Sequence, residues 1–375
     1  MSARTDHAPH PLALSNTRPK FPRDAAGFLT ELRRRVDAYF AETGQSERDC
    51  WRMYLKTAVI LVWLATSYTL LVFFAPTVWV AIPLVISFAL AISAVGFSIQ
   101  HDGGHHAYSR HEWVNKFAAM SLDLIGASSY LWKWKHGVFH HTYPNVPGQD
   151  TDIDAGVVAR LAPQQPRRWH HRWQHLYLWV LYGVTASMWH MYGDFREVIV
   201  GRIGPHKIPR PKGWDLAIFI GGKALSIALL WGIPMMVHEW WVVLVFYAAV
   251  TAVVGVTLTV VFQLAHCVEE AQFPEPVAGT GKMEDAWAVH QVLTTVDFAR
   301  NSWTVSWLLG GLNFQVVHHL FPRVSHIHYP ALARIIESAC RDFGVKYVAH
   351  TSLLAGIVSH FRWLRRMGRA DAVPG

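Results

Sequence analysis

Hydrophobic positions are unevenly spread along this chain: four long apolar runs stand in two pairs, with polar, basic and aromatic sequence around them. Thr57 to Phe74 and Thr77 to Ile99 are divided only by Ala75-Pro76, a tight turn that predicts an antiparallel helical hairpin. Asp215 to Trp231 and Trp240 to Ala265 form a second pair around residues 232–239. Each run approaches the ~20 apolar residues that cross a bilayer. Lys223 interrupts the third run; it either snorkels to the head groups, the commoner outcome, or faces the protein interior. Leu176 to Tyr192 is apolar but studded with Tyr, Trp and His190, and is expected to be re-entrant or interfacial rather than spanning. Gly27 to Phe40 sets Phe28, Leu29, Leu32, Val36, Tyr39 and Phe40 near one helical face with Arg33 to Arg35 between them. That pattern predicts an interfacial amphipathic helix capped by Asp24. Residues 1–22, rich in Pro, Ser and His without period, read as a disordered tail.

The expected architecture is all-α and polytopic, with transmembrane helices at about residues 57–74, 77–99, 215–231 and 240–265. Residues 23–370 form one domain, with a helical cap from residues 100–213 and 266–370.

Composition supports this reading. Of the 375 residues 52% are hydrophobic and 16% charged, where soluble proteins carry about a quarter charged. Eighteen tryptophans and twelve tyrosines suit interfacial aromatic belts. A formal charge of +8, in so apolar a chain, points to a basic face near anionic lipid rather than to nucleic acid. Ten Lys and Arg precede the first pair and the two short hairpin loops hold none, so both termini and the long central loop are expected on the cytoplasmic side. Cys50, Cys267 and Cys340 are scattered without a CxxC, which excludes a disulfide framework or a cysteine metal site. Cys267 reads as a buried structural thiol. No secretory signal opens the chain.

Candidate chemistry lies in three histidine clusters outside the apolar runs: His101-Asp-Gly-Gly-His105-His106, His136-Gly-Val-Phe-His140-His141 and Gln315-Val-Val-His318-His319. Such spacings offer several ring nitrogens from one helical face. Seven or eight imidazoles exceed the needs of one zinc ion and suit a pair of oxidisable metals, iron first. On a helix His101 and His105 stack one turn apart, while His106 points about a hundred degrees away. His266 ends the fourth run where it would complete such a site, and His290 is a further candidate. Gln315 is a weaker ligand or a hydrogen-bond partner for bound water. Asp102 and Asp123 are candidates to orient ligating rings. The acids Asp150, Asp152 and Asp154 fail as a calcium loop, because Ala155 and Leu161 occupy its required Gly and Glu positions; they are expected to bond histidines or basic residues. His326 and His328 read as supporting groups. His111, His170, His171, His175, His190, His206 and His360 read as satisfied polar residues.

At these clusters the chain resembles the membrane-bound fatty acid desaturases, whose pattern is HxxxH, HxxxHH and QxxHH in that order with hairpins between. The likeness runs from about residue 20 to 365 and includes Asn313-Phe-Gln-Val-Val-His-His-Leu-Phe-Pro322. Glutamine at the head of the third box is similar to the front-end, linoleoyl-CoA-desaturase-like branch. Box one carries His106 where a small residue is usual, so His105 and His106 both stand as ligand candidates.

The resemblance implies two iron ions, molecular oxygen as co-substrate and a fatty acyl substrate on CoA, carrier protein or membrane lipid. Its outcome would be a cis double bond, with hydroxylation or an acetylenic bond as the alternative. A non-enzymatic metal or haem protein is the remote reading, since the runs themselves are nearly free of histidine. No His-Pro-Gly-Gly haem motif occurs, so electrons are expected from a separate ferredoxin or cytochrome b5 with its reductase. Trp132, Lys133 and Lys135 are candidate head-group contacts, and a bacterial inner membrane is the expected location.

Overall fold

The computed structural model describes residues 18–369. Among them four helices are long and apolar enough to cross a membrane: α2 (Trp51–Phe73), α3 (Val78–Gly104), α6 (Trp214–Met235) and α7 (Trp240–His266). All four expected runs are present as longer helices, with Phe74 and Thr77 just outside α2 and α3. The Thr77 hydroxyl caps α3 by accepting from the Val80 amide. α3 and α7 meet through Val85, Phe88, Ala89 and Ile92 against Val250 and Val254. In lipid this packing rests on close van der Waals fit rather than on a difference in polarity.

Between the hairpins, α4 (Glu112–Ala119) and α5 (Gln174–Met188) lie against the bundle. α5 passes through a widened turn, Trp189–Gly193, into Asp194–Val200. It fits closely along α7, where Gly183 faces Ala252 and a Cβ on Gly255 would strike the Tyr182 carbonyl. Its outer face, Leu176, Val180, Val184, Met188 and Met191, is exposed. Trp113, Trp169, Trp214 and Trp303, all outside the interiors of the four long helices, are 71–80% exposed, which suits an aromatic belt.

Lys223 does not snorkel. Its ammonium is buried and donates to the Asp194 carboxylate at 2.7 Å and to the carbonyls of Gly126 (2.6 Å) and His190 (3.2 Å). Three acceptors satisfy its three donors, so the interior costs less than it would for an isolated lysine.

The amphipathic helix is α1 (Phe28–Thr43), with both Asp24 carboxylate oxygens accepting from the Phe28 and Leu29 amides. Its apolar face is not interfacial: Phe28, Leu32, Val36 and Phe40 pack on Leu332, Ile336 and Ala339 of α10 (Tyr329–Asp342). The other cap helices used below are α8 (Trp287–Leu293), α9 (Gln315–Leu320) and α11 (Leu353–Met367). Asp297–Phe298 pairs in parallel with Ala349–His350, and Arg202–Ile203 pairs antiparallel with His206–Lys207.

The expected disordered tail is ordered where it is described. Lys20 exchanges backbone hydrogen bonds with Gly281 and Met283, and Phe21 stacks on Tyr143. Its remainder, residues 1–17, lies outside the described residues, as do 370–375.

Candidate metal centre

Both α3 and the second histidine segment reach the centre through a turn wider than an α-helix. The His101 amide donates to the Gly96 carbonyl five residues back, and the His141 amide to His136 in the same way. α3 then ends against its neighbours. A Cβ on Gly103 would lie 2.6 Å from that of Ala118, and one on Gly104 would overlap the Trp132 ring. The glycine pair of the first cluster serves this approach. His106 follows with φ 60° in the left-handed region, exposed and 2.7 Å from Glu112. It is His105 that faces inward.

The third cluster sits on α9, whose first free amide, Val316, donates to the Asp297 carboxylate at 3.0 Å. That carboxylate also accepts from the Tyr347 hydroxyl. α9 is thereby fixed to the Asp297–Phe298 ladder.

These elements bring together all eight histidines expected at the centre, in two groups. The first holds His101, His105, His136 and His318, with a ligand atom from each within 4.8 Å of the others. Its ring centroids lie 4.3–5.6 Å apart. The second holds His140, His266 and His319, with centroids 4.6–5.0 Å apart. His141 stands between, 4.5 Å from each of His105, His318 and His319. Neighbouring residues on a helix diverge by about a hundred degrees. The pairs His140-His141 and His318-His319 are therefore split rather than shared by one group.

Hydrogen bonds outside the groups fix several rings. His140 Nδ1 lies 3.1 Å from the Asp150 carboxylate and 3.7 Å from Asp152. His319 Nδ1 meets Gln291 Oε1 at 2.9 Å, and His266 Nδ1 the Thr294 carbonyl at 3.2 Å. His318 Nδ1 has only the Tyr329 hydroxyl at 3.4 Å. Every one of the eight still carries at least one buried ring nitrogen without a partner, as does the amide nitrogen of Gln315. An unpaired buried polar group costs ~1–3 kcal/mol. Ten such nitrogens in one place, two of them on His101, would match or exceed a domain's whole net stability of ~5–15 kcal/mol. Cations at the two foci would satisfy them, so the donor set fits a metal pair.

Electrostatics agree. Burial, and then repulsion from the other imidazoles, holds His105, His136, His141, His318 and His319 well below the usual imidazole range. They are neutral donors, the form a metal needs. Burial also opposes the charged form of His140, but Asp150 and Asp152 outweigh it and raise its pKa.

The other expected participants are placed as follows. Gln315 is buried against His266. His290 is outside both groups, with Nε2 3.1 Å from the Pro144 carbonyl. Asp102 orients no ligating ring; its carboxylate turns to His326 Nδ1 at 2.9 Å, and Lys56 lies 2.9 Å from the far nitrogen of that ring. Asp123 accepts from the Ser129 amide instead. Trp132 walls the first group, 4.7–5.8 Å from His101, His105 and His136. Lys135 turns to Asp152 at 3.9 Å, and Lys133 is exposed. His190, His360 and His206 are satisfied polar residues as expected. Gln291 and Thr294 were not foreseen. Their only signal in the sequence is position, on and just after α8 beside His290.

A mostly helical membrane protein that closes two groups of buried imidazoles over its spans is built as a membrane-bound metalloenzyme of the polyhistidine type. The chain belongs to the fatty acid desaturase family, whose profile matches residues 77–351. It is 40% identical to an sn-1 linoleoyl-lipid 6-desaturase of Arthrospira platensis, over 91% of this chain and 92% of that one. A protein of the same name from Synechocystis is 38% identical, over 92% and 96%. An acyl-lipid (8-3)-desaturase of Physcomitrium patens is 37% identical, over 92% of this chain and 72% of its own length. The chain is thus an oxidoreductase of the acyl-lipid desaturase type.

Proposed function

We propose that this enzyme places a cis double bond in a polyunsaturated acyl chain carried on a membrane glycerolipid, on the carboxyl side of an existing double bond. A linoleoyl chain desaturated at position 6 is the leading substrate and product, following the names of two relatives. His101, His105, His136 and His318 would hold one iron, and His140, His266 and His319 the other, with His141 between them and Gln315 beside His266. Such a pair, with oxygen and electrons from the donor, would supply the oxidising power for removing two hydrogens from neighbouring methylenes.

The chain's own residues prepare that step. Burial keeps the imidazoles neutral and Asp150, Gln291 and Thr294 fix three rings. Trp132 would close one wall against water, and Lys133, which is exposed, would contact a head group, with Lys135 turned to Asp152. Residues 23–370 would act as one unit with both termini on the cytoplasmic side of a bacterial inner membrane. A separate ferredoxin or cytochrome b5 would bring electrons to the basic cap. The observation that carries the reading is the set of partnerless buried imidazole nitrogens gathered at two foci.

The test is expression in a bacterial host supplied with linoleoyl lipid, a ferredoxin and its reductase, followed by mass spectrometry with double-bond derivatisation. A new unsaturated acid, absent when His140→Ala and His141→Ala are combined, is the expected result. A hydroxylated or acetylenic product would change the reaction class. Protein without iron and without product would sink the reading.

A further inference from the structure

Where α5 begins, the chain from Arg167 to Gln174 packs against the end of α11. The Arg167 guanidinium donates to the Gly368 carbonyl at 2.8 Å, Arg160 to that of Met367 at 3.1 Å, and the Gln174 amide to that of Leu364 at 2.9 Å. A Cβ on Gly368 would strike the His171 carbonyl. These contacts satisfy the carbonyls at the end of α11 and leave other arginines free. Arg168, Arg172, Arg365 and Arg366 are exposed, and among the described residues none of them forms an ion pair. Arg365 lies close enough to His175 that, after burial, it helps hold that imidazole below its usual range. The two segments therefore present their positive charge to one place. No carboxylate occurs in residues 155–193 or 351–369 to offset it.

This cationic edge is continuous with an apolar one. Trp169, Trp173, Leu176, Val180, Val184, Met188 and Met191 follow one another at helical spacing, and all are 43–74% exposed. α11 adds Leu354 and Val358, also exposed, on the approach to Arg365. The Arg172 guanidinium lies 3.6 Å from the centroid of the Trp173 ring, which joins the charged edge to the apolar face. A soluble acidic protein would cover the arginines and leave this stripe in water. A bilayer covers both: acyl chains against the stripe, the tryptophans at the boundary and phosphates at the arginines.

We propose that Arg168, Arg172, Arg365 and Arg366 form a binding site for the phosphate groups of anionic membrane lipids, seating the junction of α5 and α11 in the head-group layer. None of these residues belongs to the metal centre, so the site stands apart from the reaction assigned above.

The test uses the full chain in detergent, titrated with phosphatidylglycerol or phosphatidylcholine. Bound lipid is read by native mass spectrometry and the thermal midpoint is followed in parallel. Phosphatidylglycerol should be retained preferentially and raise the midpoint, and salt should weaken both effects. Arg168→Gln, Arg172→Gln and Arg365→Gln together should match the unaltered chain in phosphatidylcholine but bind phosphatidylglycerol about a hundredfold more weakly. Equal retention of the two lipids, a preference insensitive to salt, or equal stabilisation by inorganic phosphate would overturn the proposal. So would a triple variant that loses an acidic ferredoxin while keeping its lipid. If the glutamine variant does not fold, the three Arg→Lys changes keep the charge and should keep the preference; its loss there would also count against the site.

Discussion

The two histidine groups are built differently. The first has four imidazoles whose rings are held mainly by each other and by Trp132; of these, only His318 has an oriented Nδ1, and that bond is long. The second has three, and every Nδ1 is taken by a carboxylate, a carbonyl or an amide oxygen, leaving every Nε2 bare toward the focus. An acceptor on one ring nitrogen fixes the tautomer and strengthens the other as a donor. The smaller group thus gains in order what it lacks in number. Its carboxylate is concentrated on one ring, His140.

The largest expected effect separates the groups outright. His318→Ala should leave the second group whole, and His319→Ala the first. Each should abolish desaturation while iron analysis shows about one ion retained per chain rather than none. Loss of both ions from either variant would mean that the groups are not independent.

Asp150→Asn tests the difference in order. It should weaken metal binding at the second group by roughly 10–100-fold and spare the first, seen as one shifted phase in a metal titration of the stripped protein. Gln291→Leu should act in the same direction on His319 but by less, about tenfold or below, because the acceptor it removes is neutral. Equal losses in both phases would show that orientation does not distinguish the groups.

The smallest effect concerns imidazoles outside the groups, which bear on stability alone. Burial lowers His190 and His360 from 6.5 to about 4. Such groups stay neutral when folded but take up a proton when unfolded, so their contribution is whole above about pH 6.5. It is lost as pH falls toward 4. Replacing His190 and His360 together with Asn should make the decline of the thermal midpoint through that window shallower than in the unaltered chain. An unchanged slope would place the acid sensitivity in the two groups themselves.

Much of this arrangement was legible in the sequence. The four spans, the cap and seven of the eight inward imidazoles follow from apolar run length and from clusters spaced for helices. His266 followed from its place at the end of a run. What was not legible depends on partners distant in sequence. Lys223 turns inward because Asp194 reaches it from another helix. α1 leaves the membrane surface because α10 offers a matching apolar face. Asp102, a neighbour of His101 in sequence, serves His326 instead. Local pattern yields a side chain's direction, but not the acceptor waiting in that direction.

The widened turns ahead of His101 and within Lys133–His140 carry a genetic consequence. Each accommodates one residue more than an α-helical turn would. Deleting a single codon within either would let the turn tighten to ordinary helical geometry and keep everything beyond it close to its present direction. Inserting a further one would instead turn everything beyond it by about a hundred degrees. The membrane hairpins and their hydrophobic lengths would survive such an insertion almost intact, and His101 or His141 would face away from its companions. These two short stretches should therefore tolerate a deletion far better than an insertion, and the direction of a length change is what decides whether this chemistry survives there.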